Sequence, residues 1–188
     1  MVRRAGLFAS CAALAACAAS QQPREFMDEA SANTVLTVNA PLVFARDRAD
    51  VAAHAHDFAS LVAVEIDASG KYSTYLLLYR WSTVDPRMAP TPRPNGERLR
   101  IIADDRIIDL KPVESMPSSL NHRRELHVPS YGDVIAHAYP VDVPTLRFIA
   151  ASRDLRLRVP EEPLDTPLTL WQDGRQGLAE FVKRAEVP

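Results

Sequence analysis

Two imidazoles two residues apart, in His54-Ala55-His56-Asp57, form the first grouping in this chain whose types and spacing bear on chemistry. On a strand, positions i and i+2 share a face, so both rings could hold one metal ion; on a helix they point apart. His127 and His137 are further candidate ligands if the fold draws them near. No HExxH, CxxC or full carboxylate set accompanies the pair, which favours surface or capping histidines and no resident cofactor. A second grouping, Trp81-Ser82-Thr83-Val84-Asp85-Pro86-Arg87, leaves the end of a strongly apolar run, where polar groups are placed to meet a ligand. Trp81, Ser82, Asp85 and Arg87 are the contact residues selected here, against the simpler account that they satisfy backbone groups as the chain turns. A Ser-His-Asp set can be drawn from Ser82 or Ser130 with His137 and Asp133. It lacks a Gly-x-Ser-x-Gly elbow, so no catalytic residue is assigned.

Arginine supplies a third grouping: Arg87, Arg93, Arg98 and Arg100, then Arg123 and Arg124, suit an anionic envelope polymer or an acidic partner. Glu97, Asp104 and Asp105 are interleaved with them, and mixed signs weaken any single field. Pro90, Pro92 and Pro94 alternate in a polyproline II pattern, suited to an aromatic groove or to stiffening an exposed loop.

The elements that must position these groups are mostly strands. Thr34–Val38 is a β-branched run. Residues 46–57 are alanine-rich and read as a helical turn or an irregular link. Residues 58–67 and 72–81 flank Ala68-Ser69-Gly70-Lys71, a hairpin turn containing the glycine that such turns need. Val62, Val64 and Ile66 alternate with Ala63 and Glu65, predicting one buried face, whereas residues 72–81 are apolar at both parities, as in a central strand. Residues 99–103 and 106–110 form a second hairpin around Asp104-Asp105. Short strands are expected at 125–128, 134–139, 155–159 and 168–171. Asp142 caps a helix through about Ala151, with Pro144 tolerated in its first turn. Asp173 and Gln176 have capping-box spacing before a last helix with Leu178, Phe181 and Val182 inward. The expected fold class is α+β, a mainly antiparallel or sandwich-like sheet of seven or eight strands with about two helices in the C-terminal third.

The 188 residues suit one domain, and 22 basic against 24 acidic residues exclude a strongly basic nucleic-acid binder. At the N-terminus, Arg3 and Arg4 precede an apolar stretch from Ala5 to Ala16. Twelve residues span about 18 Å as a helix against a hydrocarbon core of about 30 Å, so a signal peptide fits better than a membrane span. Leu14-Ala15-Ala16-Cys17 closes that stretch and resembles the lipobox of bacterial lipoproteins at all four positions. The resemblance covers only about the first 20 residues. It implies cleavage before Cys17, acylation of the new N-terminal cysteine, and membrane attachment through it. Ala18 in place of an aspartate implies the outer membrane, facing the periplasm. Cleavage discards Arg3, Arg4 and Cys11, leaving 20 basic against 24 acidic residues and a net charge of −4. Residues 17–33 then read as the acylated cysteine and a flexible tether without a polybasic cluster, and 34–188 as a single globular domain. The leading expectation is a non-enzymatic envelope lipoprotein that binds a protein or polymer. The alternatives are a periplasmic hydrolase or metal-dependent enzyme using His54, His56, His127 or His137, and an apolar-ligand carrier lined by Tyr75, Tyr79 and Trp81.

Overall fold

The computed structural model describes residues 22–84, 98–122, 124–130, 134–158 and 166–186. Ten strands form one antiparallel sheet: β1 (Arg24–Asp28), β2 (Asn33–Thr37), β3 (Leu42–Asp47), β4 (His56–Asp67), β5 (Tyr72–Ser82), β6 (Leu99–Ala103), β7 (Arg106–Leu110), β8 (Ile135–Pro140), β9 (Leu155–Arg158) and β10 (Leu168–Gln172). Two helices, α1 (Val143–Ala151) and α2 (Arg175–Ala185), pack on each other, so the class is α+β.

The 12-residue β4 organises the sheet. One of its edges pairs with β5 from Asp57↔Ser82 to Asp67↔Tyr72. Its other edge is shared end to end: β3 takes His56–Leu61 and β2 takes Val64–Asp67. Beyond β2 lies β1; beyond β3 the order runs β10, β9, β6, β7; β8 pairs with the free edge of β5. The β4–β5 turn is tight because Ser69 and Gly70 both take positive φ (56° and 86°), the twist that a two-residue hairpin requires, and the Asp67 carboxylate accepts the Gly70 N–H at 2.6 Å. In the β6–β7 hairpin, Asp104 takes φ 50° and its carboxylate accepts the backbone N–H groups of Arg153 and Asp154, both at 2.9 Å, which ties the turn to the start of β9.

Burial departs from the alternation in β4. Residues 59–66 are buried at both parities, including Glu65, so the strand has two covered faces and not one. Helix α2 reaches β2 and β4 on the face of Leu36 and Glu65. His122 and the turn at 124–127 cover the face carrying Val35: the His122 ring meets Phe26, the cross-strand partner of Val35, and His127 Nε2 lies 3.1 Å from the Val38 carbonyl. Leu76, Leu77 and Leu78 of β5 are likewise fully buried, as a central strand requires.

Four expectations change. Residues 24–28, placed in the tether, form β1 against β2, which itself opens at Asn33. Residues 124–127 are a turn and not a strand, with Leu126 N–H bonded to the His122 carbonyl and His127 at φ 54°. β3 occupies 42–47, and the chain from 48 to 55 is the irregular link that closes the β3–β4 hairpin through Arg48 N–H to Ala55 O at 2.8 Å. Gly174, not Asp173, is the N-cap of α2; a Cβ there would lie 2.4 Å from the Pro41 carbonyl oxygen. Asp173 instead binds Arg175, whose guanidinium also donates to the Ser152 and Arg153 carbonyls at the end of α1. The α1 cap stands as read: Asp142 accepts the Thr145 N–H at 2.8 Å.

Candidate functional site

The densest grouping of exposed aromatic and buried ionic side chains lies where β3, β4, β5 and β10 meet. Cross-strand register sets Trp81 of β5 opposite Phe58 of β4, Phe58 opposite Ala45 of β3, and Ala45 opposite Thr169 of β10. Directly opposed residues share a face, so this row lies on one side of the sheet. Phe58 and Trp81 stack with centroids 5.3 Å apart and planes 10° from parallel. Trp171, two residues beyond Thr169, stands edge-on to Phe58 at 5.9 Å and meets the His56 ring at 5.5 Å, with 64% of its surface exposed. Two aromatic directions at a right angle, one half-buried and one largely exposed, make a corner for a flat or ring-shaped partner.

The opposite face of the same strand ends is ionic. Asp57 sits between Arg46 and Ser82 in the register. Its carboxylate accepts from Arg46 at 2.8 Å, Arg48 at 3.2 Å and the Ser82 hydroxyl at 2.8 Å. Arg46 also donates to the Thr166 carbonyl at 3.1 Å, and Arg48 to Asp50 at 3.0 Å. Burial pushes the Asp57 carboxyl up, but hydrogen bonds from Arg46 and Ser82 and the charges of Arg46 and Arg48 outweigh it, holding the group below the usual range. This network fixes the register of three strands directly beneath the aromatic corner.

Of the residues selected from sequence, Trp81 and Ser82 both reach this end of the sheet, on opposite faces. Trp81 belongs to the aromatic corner, whereas Ser82 is committed to Asp57 and to the Val84 N–H at 3.0 Å. Asp85, Arg87, Arg93, Arg123 and Asp133 lie outside the described residues, as do Cys17 and the alternating prolines at 90–94. The aromatic members that the sequence reading passed over, Phe58 and Trp171, carry a readable signal: Leu168 and Leu170 alternate with Thr169 and Trp171, placing the latter two on the outward face.

The histidines do not assemble. His54 precedes β4 at φ 67° and is exposed, so the shared strand face that would let it join His56 on a metal is not formed. The two nitrogens of His56 face the His54 carbonyl at 2.9 Å and Asp47 at 3.0 Å. His127 lies at the end of β2, and His137 pairs with Leu78 on β8, four residues and about 13 Å along β5 from Ser82. No group of three or more His, Cys, Asp or Glu residues suited to a metal occurs among the described residues. Burial, then the charge of Arg80, pushes His137 down, and burial, then Arg24, does the same for His127. Of the proposed carrier lining, Tyr79 is core, while Tyr75 and Trp81 are half-buried. Arg100 pairs with Asp109 at 2.8 Å, and Arg98 and Arg124 are exposed.

A recess of about 100 Å³ opens at the far end of β4, lined by Glu25, Thr34, Leu36, Glu65, Asp67, Tyr72 and Arg184. Its lining is more polar than apolar, with three acids against one arginine. Burial pushes Glu65 above the usual carboxylate range, and Asp67 adds to the shift against a weak bond from Thr74. Among the described residues no helix is long and apolar enough to cross a membrane. No protein-family model matches the sequence, and no curated protein or solved structure matches it either.

Proposed function

We propose that this chain is a cell-envelope lipoprotein, acylated at Cys17, held on the periplasmic side of the outer membrane, whose β domain is a non-enzymatic binding module. Its contact surface is the aromatic corner of His56, Phe58, Trp81 and Trp171, and its partner is an envelope protein or polymer. The observation that carries this reading is Trp171, 64% exposed and braced by His56 and Phe58. A large exposed ring held in place by neighbours contributes contact area with little ordering entropy left to lose on binding. The Asp57 network beneath it supplies rigidity. The dispersed histidines favour binding over metal or hydrolytic chemistry.

Two experiments test this. Cys17→Ala is expected to leave the chain unprocessed and without acyl mass; an unchanged N-terminal peptide in wild type overturns the anchor. A photo-crosslinking amino acid at exposed position 169, on the same face beside Trp171, in intact cells, is expected to give one reproducible adduct that disappears in a Trp81→Ala background. Labelling no stronger than at exposed Asp105 overturns the aromatic corner as the binding surface.

A further inference from the structure

We propose that the end of β1 nearest Cys17, together with the turn at 124–127, docks on anionic lipid headgroups of the membrane that holds the acyl chains. This rests on the anchor reading of Cys17 given above. Because residues 24–28 are a strand and not tether, only residues 18–23 separate the acylated cysteine from the folded sheet. Six residues reach at most about 20 Å when extended. The acylated sulfur lies at the headgroup boundary, so Arg24 is confined close to that boundary at all times. Confinement makes surface contact an intramolecular event, for which a weak attraction suffices.

The chemistry at that end fits an anionic surface. The Arg24 guanidinium donates to the Glu125 carbonyl at 3.0 Å and lies 2.8 Å from His127 Nε2, but pairs with no carboxylate among the described residues. Its nearest neighbour in sequence, Glu25, is engaged elsewhere, 3.3 Å from Arg184 of α2. Arg124 is exposed on the turn that Arg24 touches and makes no ion pair among the described residues. Glu125 is the one acid of that turn, leaving two cations against one anion. A basic side chain near an anionic leaflet gains about fivefold in surface residence, and a zwitterionic leaflet gives no such gain.

The test uses the purified full-length acylated protein in vesicles of phosphatidylcholine with or without phosphatidylglycerol. Mass spectrometry first reads the acyl mass on Cys17, then maps phenylglyoxal modification of each arginine. Labelling of Arg24 and Arg124 is expected to fall about fivefold in the anionic vesicles, with exposed Arg147 unchanged, and to recover at roughly 1 M salt, where the Debye length is about 3 Å. Arg124→Glu, a surface change without described partners, is expected to restore labelling of Arg24. Equal labelling in both vesicles with the acyl mass present overturns the docking and leaves the anchor standing. Absence of the acyl mass overturns both, and persistent protection of Arg24 in Arg124→Glu overturns the electrostatic contact.

Discussion

Asp57 and Glu65 share one face of β4, eight residues apart, and both are largely withdrawn from water, yet their carboxyls shift in opposite directions. Burial raises each of them. At Asp57, two guanidinium groups and a hydroxyl lie within hydrogen-bond reach and reverse the effect. At Glu65, the nearest donor is the Thr74 hydroxyl at 3.4 Å, and Asp67 adds a like charge. The strand is continuous, so the difference lies in what the neighbouring strands deliver: β3 brings Arg46 to one end, β2 brings Leu36 and Thr34 to the other. One end is a fixed ionic floor beneath the aromatic corner. The other is an open acidic recess.

Breaking the floor carries the largest expected effect. Asp57→Ala leaves Arg46 and Arg48 without their shared carboxylate and is expected to cost about 3 kcal/mol in urea unfolding. A loss below about 1 kcal/mol would mean that the floor is not what holds this end. Next comes acid. Asp28, held at about 2 by hydrogen bonds led by that from Ser31, and Asp57 are both depressed, so their stabilisation is complete above the unfolded carboxylate pKa. The share of Asp28 is lost as the pH falls from about 4 toward 2, and thermal unfolding across that range is expected to show a flatter slope in Asp28→Asn.

Glu65 carries the opposite sign. Its raised carboxyl binds a proton more tightly in the folded state, so stability falls as the pH rises through its unfolded pKa and up to its folded one. Glu65→Gln is therefore expected to raise stability at pH 7 and to make no difference near pH 3. Destabilisation at pH 7 would erase the contrast between the two ends. The smallest effect on folding belongs to Trp171→Ala, within about 0.5 kcal/mol because the ring is largely exposed, even as crosslinking at the corner is lost.

Local signals made much of this fold readable. The β4–β5 hairpin follows from two apolar runs around Ser69-Gly70, and α1 from Asp142 with Pro144 in its first turn. What escaped was decided by distant parts of the chain. Arg24–Asp28 has no β-branched residue, and becomes a strand because β2 offers a free edge and His122 a ring for Phe26. The capping-box spacing at Asp173 is not realised: its carboxylate is taken by the backbone and guanidinium N–H groups of Arg175, and the N-cap falls on Gly174, where Pro41 leaves no room for a Cβ. At the site, Trp81 was legible as the end of a central strand. Its stacking on Phe58 follows from the register of the β4–β5 hairpin, but the approach of Trp171 depends on pairing across 124 residues of sequence, which no local pattern encodes.

That long-range pairing also sets the order in which the molecule can be finished. β10 is the strand that joins β1–β5 and β8 to the block of β6, β7 and β9, and it begins at residue 168 of 188. A chain delivered N-terminus first holds two unjoined pieces of sheet, with the edges of β3 and β9 unpaired, until its last strand arrives. Those edges are templates for mispairing with other chains during that interval. Final assembly is therefore a slow, non-local event, gated by the arrival of β10. A truncation before Leu168 does not shorten this domain; it leaves it in halves.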